Sequence, residues 1–196
     1  MKILVKFIIC GFLSSLLFPP FFILPIGFII FPFLFFLLIN SEFQKKNKLF
    51  HFYSGLAYGI AMNLIVLIWI KEPFLIDQRT SNFFFFSYLL VIYSSIYYGL
   101  SFLTLSFFKN DIAKLILIPV LFVISEILRE NLLYGFPWIS FALVNSNSSL
   151  VLNLIYYLGT YGLSYVTIFI FLFPASIILI YKKELINIFL KGYISI

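Results

Sequence analysis

Residues 83–108 read FFFFSYLLVIYSSIYYGLSFLTLSFF, a run of 26 positions without a charged side chain. An α-helix rises about 1.5 Å per residue, and the hydrocarbon core of a bilayer is about 30 Å thick. A run of this length can therefore cross a membrane as a single helix. This stretch predicts that the chain folds in a bilayer.

The composition extends that interpretation to the whole chain. Hydrophobic residues make up 63% of the 196 positions, charged residues only 10%, and the mean hydropathy is +1.13. Soluble domains are about half apolar and a quarter charged, so too few charges are present to cover a soluble surface. The net charge of +6 comes from small basic clusters between apolar runs, a pattern that argues against a nucleic-acid-binding face.

Five further apolar runs have the length of a membrane span. With the first, the predicted spans are 3–18, 21–39, 52–70, 83–108, 112–134, and a last one that begins at 150 or 159 and ends at 181. The tail from Leu185 to Ile196 is too short to span and resembles the start of a seventh span that has been cut. We expect an all-α polytopic transmembrane bundle of six spans plus a truncated seventh, forming one domain over residues 1–196.

The positions of the basic residues predict the orientation of the chain. Lys and Arg concentrate in the cytoplasmic loops of bacterial membrane proteins. With the amino terminus inside, nine basic residues face the cytoplasm and three lie outside; the outer three are Lys71, Arg79 and Arg129. The sequence predicts a multi-pass protein of the bacterial inner membrane with a cytoplasmic amino terminus.

Small residues one helical turn apart predict where two spans pack closely. Gly55-x-x-x-Gly59 lies in the third span and Ser95-x-x-x-Gly99 in the fourth. Such pairs let helix backbones approach where no hydrophobic effect drives association. We interpret them as packing positions.

The window SEILRENLLYGFPW, residues 125–138, places charges at the end of an apolar helix. Glu126 and Arg129 lie three residues apart, so they share a helix face and can pair. Counted from Lys114, Arg129 lies about 22 Å further along the helix axis, near the outer headgroups.

Two interpretations of this window stay open. In the structural one, Gly135 ends the helix, Pro137 prevents its resumption and Trp138 anchors at the membrane interface. In the functional one, the intramembrane Glu126 marks a site, because an ionisable side chain within a span is expensive to hold there.

Motifs along the chain are similar to those of the apolipoprotein N-acyltransferase family. The pattern E-x-x-R, then five residues, then G-F-P-W resembles the fifth membrane span of that family. Three other segments agree in order: LFPPF at 17–21 with Pro25, Gly55 and Gly59 followed by Trp69-Ile70, and YGLSYV at 161–166, which is similar to the family's Y-G-V-S-F. One departure is the stretch after G-F-P-W, where the family has G-Y-S-Q and this chain has ALVN at 142–145.

The resemblance implies a function in bacterial lipoprotein maturation. Family members move an acyl chain from a glycerophospholipid to the α-amino group of a diacylated amino-terminal cysteine, so the implied partners are membrane phospholipid and diacylated apolipoprotein. The chemistry belongs to a periplasmic nitrilase-like domain with a Glu-Lys-Cys triad, expected downstream or in trans. The residues expected to position lipid or substrate are Glu126, Arg129, Gly135, Phe136, Pro137 and Trp138.

No residue of the chain itself offers a substitute for that triad. Cys10, the single cysteine, lies among apolar neighbours in the first span, and His51, the single histidine, lies at the cytoplasmic edge. We predict no catalytic residue, no metal and no soluble cofactor, and a chain that is inactive alone. The alternatives are a standalone non-enzymatic lipid-binding or carrier membrane protein, or a membrane partner of a polyprenol-sugar transferase.

Overall fold

A computed structural model describes the backbone of residues 2–132 and 138–194, and the side chains of these ranges up to residue 181. Within these ranges the regular structure is entirely helical and contains no strand. The predicted all-α class is therefore confirmed.

The described residues form nine α-helices and four short 3₁₀ turns. In chain order the helices are α1 (Lys2–Ser15), α2 (Gly27–Leu38), α3 (Ser41–Gln44), α4 (Lys48–Val66), α5 (Glu72–Ile76), α6 (Phe86–Leu105), α7 (Asp111–Asn131), α8 (Ser149–Leu152) and α9 (Ile155–Ile194). The 3₁₀ turns are Leu24–Ile26, Ile68–Lys71, Ser81–Phe83 and Phe141–Asn145.

Three helical segments are long and apolar enough to cross a membrane: Lys48–Val66, Ser81–Leu105 and Ile155–Tyr181. They correspond to the third, fourth and sixth predicted spans. The chain is thus a helical membrane protein, while the count of six spans plus one stays a prediction.

The other long helices are either too short or too highly charged to be identified as membrane spans. With 14 residues, α1 is about 21 Å long, and the apolar helix over Leu24–Leu38 is similar in length, both below the roughly 30 Å of a hydrocarbon core. The 21 residues of α7 would suffice, but they include five charged side chains, namely Asp111, Lys114, Glu126, Arg129 and Glu130.

Helix α9 has a break at one of the two predicted starts of the sixth span and continues past its predicted end. Gly159 has a φ of 67°, which breaks the helical geometry at one of the two starting points considered for the sixth span. The backbone then continues as helix to Ile194. The segment from Leu185, predicted to begin a seventh span, therefore belongs to the same helix in the structure.

Helices α4 and α6 share an extensive contact, and the predicted small residues lie in it. A Cβ atom added at Gly55 would fall 2.3 Å from the Tyr98 carbonyl oxygen, and one at Gly59 would fall 2.9 Å from Ser95 Cβ. At Gly99 an added Cβ would lie 2.8 Å from the Phe52 ring. The packing role predicted for these glycines is confirmed.

A cluster of phenylalanine rings joins α2, α7, α9 and the turn Phe141–Asn145. The ring of Phe31 has its centroid 5.6 Å from those of both Phe141 and Phe171, and Phe122 lies 5.9 Å from Phe141. These rings bury the turn Phe141–Asn145 against three helices. The turn directly follows the polar residue Ser140.

Asparagine side chains cap several helices at one end of the bundle. Asn47 accepts from the Phe50 N–H at the start of α4, and Asn110 accepts from the Ile112 N–H at the start of α7. Each cap satisfies a backbone donor that the first turn of a helix leaves free. We call this end, where α4 and α7 begin, the basic end, because the predicted cytoplasmic lysines lie there.

Candidate functional site

The last two turns of α7 hold two buried charges at the end opposite the basic end. Glu126 is 4% exposed and Arg129 is 1% exposed. Since they are three residues apart on one helix, both face the interior, as the sequence predicts. Charges in such a place need polar partners.

Both oxygens of the Glu126 carboxylate accept hydrogen bonds from the segment that follows Trp138. The Ser140 hydroxyl donates to Oε2 at 3.0 Å, and the Phe141 backbone N–H donates to Oε1 at 2.8 Å. Bonds to an ionised acceptor are stronger than those between neutral groups. The carboxylate therefore holds residues 140 and 141 against α7.

Arg129 binds Ile139, the residue just before Ser140 and Phe141. Its Nη2 donates to the Ile139 carbonyl at 2.6 Å, and its Nη1 donates to the Tyr98 hydroxyl at 3.4 Å. The guanidinium carbon lies 5.4 Å from the centroid of the Tyr98 ring. The guanidinium thus connects α7 to α6 and to the segment after Trp138.

The direct ion pair expected between Glu126 and Arg129 is not formed. Within residues 2–132 and 138–181, the one ion pair is Lys71 with Glu72, at 3.9 Å. The physical reason is competition from buried backbone groups: the N–H of Phe141 and the carbonyl of Ile139 must also be satisfied. Each charge binds the backbone instead of the other.

Ser164 in α9 completes this network. Its hydroxyl lies 2.9 Å from that of Ser140 and accepts from the Ala142 N–H, also at 2.9 Å. The sequence did not identify Ser140, Ser164 or Tyr98 as members of the site. The available signals were the position of Ser164 in the YGLSYV motif and the need of an intramembrane tyrosine for a polar partner.

Trp138 lies beside this network at the surface. It is 50% exposed, and its ring centroid is 4.8 Å from that of Trp69 in the turn after α4. The other predicted members of the motif, Gly135, Phe136 and Pro137, lie outside the described residues.

A cleft of about 190 Å³ opens beside the two charges. Arg129, Glu126 and Ser140 form part of its wall, and Glu130, Thr160 and Tyr161 form another part. The Tyr161 hydroxyl donates to Glu130 Oε2, which ties α9 to α7 across the cleft.

Two apolar grooves lie at the same end of the bundle. One, of about 320 Å³, runs between the end of α4 and the start of α6, with Leu67, Val91 and Lys71 in its wall. The other, of about 250 Å³, lies between Phe28 of α2 and Ile170 of α9. Grooves with such walls suit hydrocarbon chains.

Comparison with known proteins identifies the family of the chain. A family model described as the apolipoprotein N-acyltransferase N-terminal domain matches residues 10–173. The chain belongs to this family. An apolipoprotein N-acyltransferase of Rhodopseudomonas palustris is 31% identical over 180 residues, covering 87% of this chain and 33% of the relative. The chain thus spans about a third of the length of the curated relative it matches.

The position that this chain retains from the G-Y-S-Q stretch of apolipoprotein N-acyltransferases has a structural role. In the ALVN stretch, Asn145 keeps the amide found at the last position of the family's G-Y-S-Q. Its Nδ2 donates to the Thr167 hydroxyl of α9 at 2.7 Å. The retained amide fixes the turn Phe141–Asn145 to α9, as Ser164 does one helical turn earlier.

The two reactive side chains of this N-acyltransferase domain lie away from the cleft. Cys10 is 1% exposed within α1, and His51 is 2% exposed in the first turn of α4 at the basic end. Among the residues described, no three His, Cys, Asp or Glu side chains come together as metal ligands. Neither residue can act as nucleophile or base on a molecule in the cleft.

Proposed function

We propose that this chain is the membrane-embedded part of an apolipoprotein N-acyltransferase. In this proposal it anchors the enzyme and admits lipid substrates, and the acyl chain passes from a glycerophospholipid to the amino-terminal diacylglyceryl cysteine of a lipoprotein. The observation that carries the proposal is the family match over residues 10–173, which includes every described residue around the cleft.

The proposal assigns the acyl-transfer step to a Glu-Lys-Cys triad outside these 196 residues, in a nitrilase-like domain. Acyl transfer through a thioester needs an accessible thiolate, a proton carrier and a group that stabilises the oxyanion. The burial of Cys10 in α1 supports this assignment, because neither substrate can reach its sulfur there.

For Glu126 and Arg129 we propose a positioning role. Both side chains bind the segment of Ile139, Ser140 and Phe141, so in this proposal they act on a lipid through the segment they hold. The half-exposed ring of Trp138, one residue before Ile139, is the side chain this arrangement presents to a substrate. Gly135, Phe136 and Pro137 complete the proposed motif by resemblance.

The two apolar grooves are proposed as entry paths for the two lipid substrates. Both lie at the end of the bundle that carries the cleft, which we propose to face the periplasm. A groove between helices lets a lipid keep its acyl chains in the membrane while its head group reaches the cleft. Lys71, in the wall of the larger groove, carries the charge that suits a phosphate group.

A chimera tests the proposal. Residues 1–181 replace the matching membrane segment of the Rhodopseudomonas palustris relative, and the chimera is expressed in a bacterium depleted of its own N-acyltransferase. Mass spectrometry of the amino-terminal peptide of a resident lipoprotein measures N-acylation. We expect acylation to be restored; a chimera that is inserted and stable but leaves the lipoprotein diacylated would contradict the proposal.

Variants of the chimera test the positioning role. We expect Glu126→Ala and Arg129→Ala to reduce acylation at equal protein abundance, because each releases the segment that follows Trp138. The matched controls are Glu72→Gln and Arg79→Lys, two exposed charges in the loop between α4 and α6. Acylation at the parental level in both alanine variants would assign the window to membrane anchoring alone.

A further inference from the structure

The chain contains two tryptophans, and the fold brings both together at the end of the bundle that carries the cleft. Trp69 is 43% exposed and Trp138 is 50% exposed, and their ring centroids lie 4.8 Å apart with 40° between the ring planes. Aromatic rings attract each other at centroid distances of about 4.5–7 Å. The proposed function gives a role to Trp138 and none to Trp69.

Trp69 lies on a turn that is fixed to the core of the bundle. It belongs to the 3₁₀ turn Ile68–Lys71 after α4. The Leu67 N–H donates to the Asn63 carbonyl at 2.9 Å, and the Ile70 N–H donates to the Leu67 carbonyl at 3.1 Å. Leu67 itself is 2% exposed. The Trp69 ring therefore extends from a fixed backbone and can support a second ring.

The backbone contact beside Trp138 fixes its peptide but leaves its ring direction open. Arg129 binds the carbonyl of Ile139, the next residue, at 2.6 Å. The direction of the ring depends on rotation about the side-chain bonds of Trp138, which has several staggered positions. A ring packed against it from a second element restricts that rotation, and Trp69 supplies such a ring.

The two rings lie between the larger apolar groove and the cleft. Ile68 and Lys71, on either side of Trp69 in the chain, line the groove of about 320 Å³. Ile139, directly after Trp138, lines the cleft of about 190 Å³. The ring contact therefore joins the wall of the groove to the wall of the cleft. Tryptophan rings suit the head-group level of a membrane, where one part of the ring is in apolar surroundings and the other part is hydrated.

From this geometry, and resting on the proposed function, we infer that Trp69 is a positioning residue. Its ring holds the ring of Trp138 at the mouth of the cleft. Together the two rings contact the glycerol ester region of a phospholipid that passes from the groove to the cleft.

Tryptophan fluorescence tests the ring contact on the detergent-solubilised chain. Trp69→Phe and Trp69→Ala each leave Trp138 as the single tryptophan. We expect a shift of the Trp138 emission maximum to longer wavelength in Trp69→Ala relative to Trp69→Phe, because the indole loses the ring that covers it and gains contact with water. Phe85→Ala is the matched control: Phe85 is 46% exposed and stacks on Phe86 in the same connection, and its loss should leave the emission of the parent unchanged.

Kinetics of the chimera test the lipid contact. The donor is phosphatidylethanolamine in mixed micelles, and the acceptor is a synthetic diacylated lipopeptide. We expect Trp69→Ala to raise the KM for the phospholipid about fivefold and to leave kcat unchanged, because a contact away from the reacting groups stabilises bound lipid and transition state equally. Trp69→Phe, which keeps an aromatic ring, and Phe85→Ala should have the parental KM.

Equal emission maxima in Trp69→Ala and Trp69→Phe would overturn the inference, because the Trp138 ring would then not depend on Trp69. A parental KM in Trp69→Ala would overturn it as well. If Trp69→Ala does not fold, Trp69→Leu replaces it in both assays with the same expected changes, since leucine is apolar and has no ring. An inactive parental chimera would contradict the proposed function, and the emission maxima, measured on the chain alone, would still decide whether Trp69 holds Trp138.

Discussion

Replacing Glu126 by glutamine removes a charge from the bundle interior and keeps the size of the side chain. The amide oxygen can still accept from the Phe141 N–H, while the amide nitrogen replaces the oxygen that now accepts from Ser140. A hydrogen bond to a charged group contributes about 1.5–3 kcal/mol and a neutral one about half of that. Two weakened bonds predict a loss of about 2 kcal/mol in the free energy of unfolding.

Glu126→Ala should cost more, because it removes both acceptors. The Phe141 N–H and the Ser140 hydroxyl both lose the carboxylate oxygen to which they donate. We expect the free energy of unfolding to fall by about 4 kcal/mol, because two hydrogen bonds are lost and a buried donor is left unsatisfied. For a chain of this length 1 kcal/mol shifts Tm by about 2–4 °C, so glutamine should lower Tm by about 4–8 °C and alanine by about 8–16 °C.

The single cysteine provides the assay for this prediction. Cys10 is buried in α1, so a thiol-reactive dye that fluoresces on coupling reports unfolding of the detergent-solubilised chain during heating. Glu72→Gln, which changes an exposed carboxylate at the start of α5, is the control and should melt with the parent. A Tm of Glu126→Ala equal to that of the parent would contradict the prediction. A Tm of Glu126→Gln above that of the parent would also contradict it, because burial of the charge would then cost more free energy than its hydrogen bonds contribute.

Three further predictions rest on other contacts. Gly55→Ala should destabilise the chain by about 1–3 kcal/mol in the same thiol assay, because its Cβ would fall 2.3 Å from the Tyr98 carbonyl oxygen. Ser164→Ala should cost about 1 kcal/mol in that assay, because the Ala142 N–H loses its 2.9 Å acceptor. Alkaline phosphatase fused after Asn145 should be active, as expected for the periplasm; an inactive but stable fusion would reverse the predicted orientation.

The sequence predicted the centres of the helices better than their ends. The third span was expected to begin at 52, yet α4 begins at Lys48, where the Asn47 side chain caps the helix. Apolar residues indicate which part of a helix lies in the hydrocarbon, whereas caps and backbone hydrogen bonds decide where the helix begins. The first turn of α4 therefore includes two polar side chains, Lys48 and His51.

The two charged residues of the candidate site could be predicted from the sequence, but their hydrogen-bond partners could not. The spacing of Glu126 and Arg129 fixes a common helix face, because that is a local property of the helix. Their partners could not be predicted, since Ile139 and Ser140 belong to a segment after the helix and Ser164 to another helix. Such contacts depend on how helices pack, which no spacing along the chain encodes.

Glu126 and Arg129 do not pair with each other and instead bind the same backbone segment. Arg129 binds the carbonyl of Ile139, and Glu126 binds the N–H of Phe141, so the two opposite charges hold the backbone on either side of Ser140. A direct ion pair would satisfy the charges but leave both backbone groups buried and unsatisfied. In the observed arrangement both charges are needed to fix residues 139–141 against α7. Trp138 directly precedes these residues, so we propose that both buried charges contribute to the position of its ring at the surface.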